Sequence, residues 1–185
     1  MFTNIYLVRH AHSNYSRDEL GRSVSEEGRK QVDIVSELLI GEDIEVFISS
    51  PYRRAIQTVE GAAEALGIEI VLNEGFRERT LSSVPVEDFE TTIQSVWKDP
   101  DFSLQGGESN MQAQKRGIEA LEDILERYKG KRVAIGTHGN IMAIIMNYYD
   151  AKYNYEFWKG LSMPDIYKLS FGNNRLIDVK RIWVG

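Results

Sequence analysis

Three short apolar runs in this sequence each stop at polar residues that could do chemistry together. The segments that follow these runs are Arg9-His10, Ser49 to Arg54, and Thr137 to Gly139. Ligands of open α/β sheets bind beyond the carboxyl ends of the strands, so the three segments are expected to meet at one edge of a sheet. They would bring two histidines and at least two arginines to one pocket. Such a pocket suits a phosphate group, because the planar arginine fork matches two phosphate oxygens.

His10 is the residue of this set that could act as a nucleophile. The neighbouring arginine cations disfavour protonation of its imidazole, so a neutral ring is available to attack phosphorus at neutral pH. Arg9, Arg54 and His138 would then stabilise the negative charge that develops on the phosphoryl oxygens. The backbone amides of a helix that starts near Gly139 would add a further positive end. The sequence therefore predicts phosphoryl chemistry at these strand ends.

The elements that must position these residues alternate along the chain. Strands are predicted for the apolar runs at Ile5–Val8, Val46–Ile48, Ile68–Leu72, Arg132–Ile135, Ile166–Phe171 and Leu176–Trp183. Helices are predicted after an N-cap at Ser25, from Pro51 behind the serine caps Ser49 and Ser50, over Glu87–Lys98, around Ile118–Tyr128, and from Ile141. This alternation predicts an α/β fold, a three-layer α/β/α sandwich with a mostly parallel central sheet.

Residues 79 to 107 break this alternation. The segment holds Pro85 and Pro100, ends in Gly106 and Gly107, and contains one short helical candidate. We interpret it as a short cap insertion within a single domain that covers residues 1–185. The insertion would then set the choice of substrate.

Composition and charge exclude several classes of protein. Hydrophobic residues at 42% and charged residues at 27% are typical of a folded, water-soluble chain. The net charge of −6 disfavours nucleic acid and anionic membranes as partners, so an anion site has to be built locally. The absence of cysteine excludes thiolate nucleophiles and thiolate metal sites. No apolar stretch is long enough to span a bilayer and the first residues lack a signal-peptide layout, so a cytoplasmic location is expected.

The motifs at the three strand ends carry a resemblance to a known family. They are Leu7-Val8-Arg9-His10-Ala11, Ser49-Ser50-Pro51-Tyr52-Arg53-Arg54-Ala55-Ile56-Gln57-Thr58 and Thr137-His138-Gly139. In this order they resemble the motifs of the histidine phosphatase superfamily, in its phosphoglycerate-mutase-like group, over nearly the whole chain. The resemblance implies a cofactor-independent phosphomonoesterase that acts on small phosphorylated substrates through a phosphohistidine on His10. Its register implies that Arg54, and not Arg53, contacts the phosphate.

The resemblance implies further site residues. Glu78 occupies the place of the family's acid and base glutamate, which would protonate the leaving alkoxide and later activate water. Substrate binding is predicted for Arg9, Ser16, Arg54, His138 and Gly139. The sequence departs from the family pattern at His12 and Ser16, where contacts to the phosphate and its ester group would differ. It departs again at 79–82, after the glutamate, which bears on the choice of substrate.

Two other functions remain open for a pocket of this kind. The first is a phosphoglycerate-mutase-type transfer, which needs a pocket that keeps a phosphorylated intermediate away from water. The resemblance implies that true mutases of this group are longer, with a larger insertion. The second is a non-catalytic protein that binds a phosphorylated ligand, from which the phosphatase differs in sequence only by an intact acid at Glu78.

A third alternative is metal chemistry. His10 and His12 have the strand-like spacing that points two rings to one side, and His138 could supply a third ligand. The neighbouring arginine cations would repel a divalent metal ion. The sequence therefore predicts neither a metal nor another cofactor.

Overall fold

The computed structural model describes residues 1–185. Its strands are β1 (Thr3–Arg9), β2 (Val46–Ser49), β3 (Ile70–Leu72), β4 (Arg132–Thr137), β5 (Asp165–Gly172) and β6 (Arg175–Arg181). Its helices are α1 (Glu26–Gly41), α2 (Arg53–Leu66), α3 (Phe89–Lys98), α4 (Asn110–Arg127), α5 (Gly139–Tyr149) and α6 (Tyr155–Lys159). A single 3-10 turn covers Glu74–Phe76. The turn and α6 are elements that the sequence patterns did not predict.

The six strands form one sheet in the order β3-β2-β4-β1-β5-β6. Strands β3, β2, β4 and β1 are parallel, whereas β5 pairs with β1 and β6 in antiparallel fashion, so the prediction of a mostly parallel sheet is confirmed. The register sets Arg9 opposite Thr137, and Ser49 opposite Gly136. The carboxyl ends of β1, β2 and β4 therefore finish at the same edge.

Helices cover both faces of the sheet, as the three-layer prediction requires. Residues Ile5 to Val8 of strand β1 are fully buried, and their side chains alternate between the two faces. Ile5 and Leu7 pack into a cluster with α4 and α5, and Tyr6 and Val8 pack into a second cluster with α1 and α2. The continuous apolar run at the start of the chain is thus a central strand that is buried on both sides.

Helix α2 begins two residues later than the sequence predicts. Its N-cap is Tyr52, which makes no side-chain cap, so the prediction of a serine cap with Pro51 in the first helical position is wrong. The two serine hydroxyls have other partners: Ser49 Oγ donates to the Ser50 carbonyl, and Ser50 Oγ lies 2.8 Å from His138 Nε2. Because the helix starts later, residues Ser50 to Tyr52 form a loop between β2 and α2, and Tyr52 of this loop lines the cavity described below.

The segment at residues 79–107, which we predicted to be an insertion, contains α3, which begins two residues later than predicted and ends at the predicted Lys98. Asp88 caps this helix by accepting from the Thr91 N–H, and the helix buries its own residues Ile93 and Val96. Helix α4 follows with a capping box in which Ser109 and Gln112 satisfy each other's backbone. No helix of the protein combines the length and the apolar character needed to cross a membrane.

Candidate active site

A cavity of about 780 Å³ lies at the carboxyl ends of β1 and β2, beside the inserted segment. Four arginines and two glutamates are among the residues that line it: Arg9, Arg22, Arg54, Arg79, Glu19 and Glu78. A second cleft of about 690 Å³, between α3, α4, α5 and α6, has no arginine or histidine in its wall. The cation-rich cavity is therefore the place where an anionic substrate would bind.

His10 follows β1 directly, and its backbone N–H donates to the Thr137 carbonyl of β4. Its Nδ1 lies 2.8 Å from the Ala11 carbonyl oxygen, an acceptor that places the ring proton on Nδ1 and the lone pair on Nε2. Burial lowers the pKa of His10 to about 3, and the charges of Arg54 and Arg9 act in the same direction. The ring is therefore neutral at pH 7, and its Nε2 carries the lone pair that a nucleophile needs.

Arg54 lies in the first turn of α2 and is only 2% exposed. Its Nε donates to His10 Nε2 at 3.2 Å, so the guanidinium lies directly against the nitrogen that would attack phosphorus. Its other two nitrogens donate to Glu19, one to the backbone carbonyl and one to the carboxylate at 3.1 Å. Arg53 is exposed to solvent. The structure thus places Arg54, and not Arg53, at the cavity.

Arg9 is held at the cavity by the loop between α6 and β5. Its Nη1 donates to the carbonyl oxygens of Leu161 and Ser162, both at 3.0 Å, and its buried Nε has no partner in the protein. Burial lowers the pKa of Arg9. A Cβ at Gly139 would lie 2.9 Å from Arg9 Cζ and Nε, so glycine is the residue that leaves room for this guanidinium.

His138 is completely buried next to His10. The two ring centroids are 5.3 Å apart in an edge-to-face arrangement. Burial holds the pKa of His138 well below its usual value, and charge on His10 and Arg54 lowers it further. Its Nε2 faces the Ser50 hydroxyl, and its Nδ1 has no partner. A neutral ring that accepts from Ser50 at Nε2 carries its proton on Nδ1.

Glu78 is the glutamate that the structure brings to the cavity. Its carboxylate accepts from three backbone N–H groups: those of Asn140 and Ile141 at the start of α5, and that of Arg79. Glu108 instead lies outside the wall, where the Arg116 guanidinium overcomes the effect of burial and lowers the pKa of that carboxyl to about 2. The first turn of α5 therefore holds the candidate acid and base in place.

Comparison with known protein families tests the resemblance that the strand-end motifs suggested. The model of the histidine phosphatase superfamily, branch 1, matches residues 5–179 of the chain. The chain belongs to this superfamily. The match covers every strand-end motif and Glu78.

Relatives of this superfamily member include two phosphoserine phosphatases. Phosphoserine phosphatase 1 of Hydrogenobacter thermophilus is 27% identical over 72% of this chain and 70% of its own length. The metal-independent phosphoserine phosphatase of Arabidopsis thaliana is 29% identical over 77% of this chain and 67% of its own. A mycobacterial glucosyl-3-phosphoglycerate phosphatase solved with vanadate has the same fold, with a TM-score of 0.80, 20% identity, and coverage of 96% of this chain and 97% of its own.

Three predicted substrate-binding residues of this histidine phosphatase superfamily member are not in the cavity wall: Ser16, His138 and Gly139. His138 is completely buried next to His10. Ser16 Oγ accepts from the backbone N–H of Asp18 on the loop after His10, and it does not reach the cavity. Gly139 packs behind Arg9. The loop at 14–20 has no regular secondary structure, so its path could not be predicted from a sequence pattern. The match to the family motif therefore predicted a substrate contact for Ser16 that the loop does not provide.

Three charged residues of the wall were missed by the sequence analysis: Glu19, Arg22 and Arg79. Arg79, the first residue of the segment at 79–107, is only 4% exposed. Its position next to the candidate acid was the one available signal. Glu19 and Arg22 lie on the irregular loop between β1 and α1, where neither spacing nor periodicity marks them.

The two histidines of the His10-Ala11-His12 segment have separate partners in this histidine phosphatase superfamily member. His12 Nδ1 lies 2.7 Å from Ser25 Oγ, the cap of α1, whereas His10 faces Arg54. No three His, Cys, Asp or Glu side chains lie together in a group that could hold a metal ion.

Proposed function

We propose that this protein is a cofactor-independent phosphomonoesterase that hydrolyses small phosphate esters through a phosphohistidine on His10. The observation that carries this proposal is the lone pair of a neutral, buried His10 Nε2, held 3.2 Å from Arg54 Nε in a cation-rich cavity. The relatives named as phosphoserine phosphatases support hydrolysis as the reaction.

The first chemical step forms a bond between His10 Nε2 and phosphorus and breaks the ester P–O bond. Arg9, Arg54 and His138 donate to the phosphoryl oxygens, where negative charge is redistributed in the transition state. Glu78, protonated in this step, delivers a proton to the leaving oxygen. The alcohol product then departs with the electron pair of the broken bond.

The second step returns His10 to its neutral form. The Glu78 carboxylate takes a proton from water as the water oxygen attacks phosphorus, and the P–N bond breaks. The backbone N–H groups that hold the carboxylate keep it in place for this step. The alternatives differ here: a mutase returns the phosphoryl group to an organic acceptor, and a binding protein does not form phosphohistidine.

The direct test is to mix the protein with phosphoserine and with p-nitrophenyl phosphate, measure the release of inorganic phosphate, and repeat the assay with a chelator. We expect release that persists in the chelator, and inhibition by vanadate. Transfer of the phosphoryl group to an added hydroxy acid, without release of inorganic phosphate, would support the mutase. Binding without either product would support the non-catalytic protein.

We predict that Glu78→Gln slows the hydrolysis of alkyl phosphates by about 100-fold or more, and that of p-nitrophenyl phosphate much less. Glutamine keeps the size of the side chain but cannot deliver a proton, and an alkoxide needs that proton far more than a nitrophenolate does. The measurement is the single-turnover rate of His10 phosphorylation, because the same carboxylate also serves the second step. The matched control is Glu74→Gln, at an exposed glutamate on the preceding turn. If Glu78→Gln phosphorylates His10 equally fast from alkyl and aryl esters, Glu78 is not the acid.

We further propose that the substrate carries a second anionic group, which Arg79 binds. Arg79 is buried in the cavity wall, and its Nε and Nη1 have no partner in the protein. Its one hydrogen bond is a long one, from Nη2 to Asn140 Oδ1 at 3.5 Å. A buried guanidinium with two free donors is costly unless a ligand supplies the acceptors. A carboxylate on the substrate would do so, and phosphoserine has one beside its phosphate ester.

Phosphoserine and phosphoethanolamine differ only by this carboxylate, so the pair isolates the contribution of Arg79. We predict that Arg79→Gln raises the KM for phosphoserine by about 10- to 100-fold, the worth of a charge-assisted hydrogen bond. The KM for phosphoethanolamine should change by less than about threefold. A similar loss for both substrates would mean that Arg79 supports the cavity wall or the phosphate, and does not bind a carboxylate.

A further inference from the structure

The loop that binds Arg9 is itself held by a buried carboxylate. Asp165, the first residue of β5, is 0% exposed. Its Oδ1 accepts from the Ile166 N–H at 3.0 Å and from Arg181 Nε at 2.9 Å. Its Oδ2 accepts from the Ser162 N–H at 2.9 Å and from Arg181 Nη2 at 3.1 Å. Both oxygens are thus saturated by two backbone donors and a bidentate arginine.

Arg181 connects the end of the sheet to the same loop. It is the last residue of β6, and its side chain is 40% exposed. Besides Asp165, its Nη2 donates to Ser162 Oγ at 2.7 Å. One guanidinium therefore joins the carboxylate at the start of β5 to a loop residue three positions earlier.

The held loop in turn orients Arg9. The carbonyls of Leu161 and Ser162 both accept from Arg9 Nη1. Arg9 and Asp165 are paired residues on the neighbouring strands β1 and β5. The loop that Asp165 anchors therefore lies next to the Arg9 guanidinium that it binds. With Nη1 occupied by the loop, Arg9 has Nε left without a partner in the protein for a phosphoryl oxygen.

We infer that Asp165 and Arg181 are positioning residues that act through Arg9: their ion pair fixes the 161–164 loop, and the loop fixes the guanidinium that stabilises the phosphoryl group. The inference rests on the proposed function, since it takes Arg9 to contact that group. An isolated ion pair at the end of a hairpin would contribute only to folding stability. Ser162 accepts a hydrogen bond from Arg181 and donates one to Asp165, so the ion pair is connected through this residue to the cavity. A displacement of about 1 Å there can cost up to 100-fold in rate.

The test is a double-mutant cycle of Arg181→Met and Arg9→Ala. We expect Arg181→Met to lower kcat/KM for p-nitrophenyl phosphate by about 10- to 50-fold. It should also weaken the binding of vanadate, measured by calorimetry, by about tenfold. In the Arg9→Ala background the same substitution should have an effect of less than twofold on both quantities, because the guanidinium through which it acts is gone. Arg175→Met, at an exposed arginine of the same strand, is the matched control and should leave both quantities unchanged.

Losses that multiply in the double variant would overturn the inference, because the pair would then act independently of Arg9. Unchanged vanadate binding in Arg181→Met would overturn it as well. Thermal unfolding of each variant is measured beside the cycle. If Arg181→Met does not fold, Arg181→Lys, which keeps the charge and one donor, goes through the same cycle. Failure of the proposed function is a different result: wild-type protein would then bind vanadate without releasing phosphate, and the calorimetric arm would still decide the role of Arg181.

Discussion

His10→Ala should lower phosphate release by about 10,000-fold or more, since removal of a catalytic nucleophile typically has an effect of that size. The nucleophile is the lone pair on Nε2, and no other imidazole shares its setting: His138 is fully buried behind it, and His12 faces Ser25. Because the pKa of His10 is about 3, the wild-type ring is neutral across the range of ordinary assays. The measurement is steady-state hydrolysis of p-nitrophenyl phosphate, with circular dichroism to confirm that the variant is folded.

The matched variant for this prediction is His12→Ala, two residues away on the same cavity wall. It should retain a readily measurable activity, because its ring is engaged by the cap of α1 and is not aimed at phosphorus. Acid-labile, base-stable phosphate should be found on His10 in wild-type protein and on no residue of His10→Ala. Turnover of His10→Ala near the wild-type rate, or a label mapped to another residue, would refute the assignment of the nucleophile.

Arg54→Ala should lower kcat/KM by about 100-fold or more, as expected when a charge-assisted contact made in the transition state is lost. Arg54 Nε touches the nucleophilic nitrogen of His10, and the side chain is 2% exposed. Its loss also removes one of the two arginine partners of the Glu19 carboxylate and leaves it paired with Arg22 alone, so its charge is less well compensated against a phosphate. The measurement is kcat/KM together with the affinity for vanadate.

Arg53→Ala is the control that the chain itself offers, since the two arginines are adjacent in sequence. Arg53 is exposed in the first turn of α2, so its removal should change kcat/KM by less than about threefold. Equal losses at the two positions would mean that the phosphate does not bind at Arg54 as proposed. Arg54→Lys separates charge from shape: a point charge without the planar fork should recover only part of the activity.

The sequence by itself determined the order of the elements and the three strand ends. The run from Ile5 to Val8 is apolar without a break, a pattern typical of a strand buried on both faces. Parallel strands that alternate with helices then bring their carboxyl ends to one edge, so local patterns alone predicted that Arg9 and His10 meet the segment from Ser49 to Arg54. Only the family resemblance, and no periodicity, indicated that Arg54 and not Arg53 faces the site.

Only the tertiary structure decided how the side chains of that edge are used. The start of α2 at Arg53 depends on Ser50 having His138 as a partner, a contact between residues 88 positions apart. Likewise, Ser16 lies outside the cavity and Arg79 inside it, because the path of an irregular loop depends on what it packs against.

The anchoring of Arg9 shows the same limit. Its guanidinium binds the carbonyls of a loop about 150 residues along the chain, held by Asp165 and Arg181 from the last hairpin. Local sequence sets the backbone preference of each segment. A buried charge, in contrast, forms hydrogen bonds with the groups that tertiary packing brings within about 3 Å of it. These partners do not exist until the chain has packed.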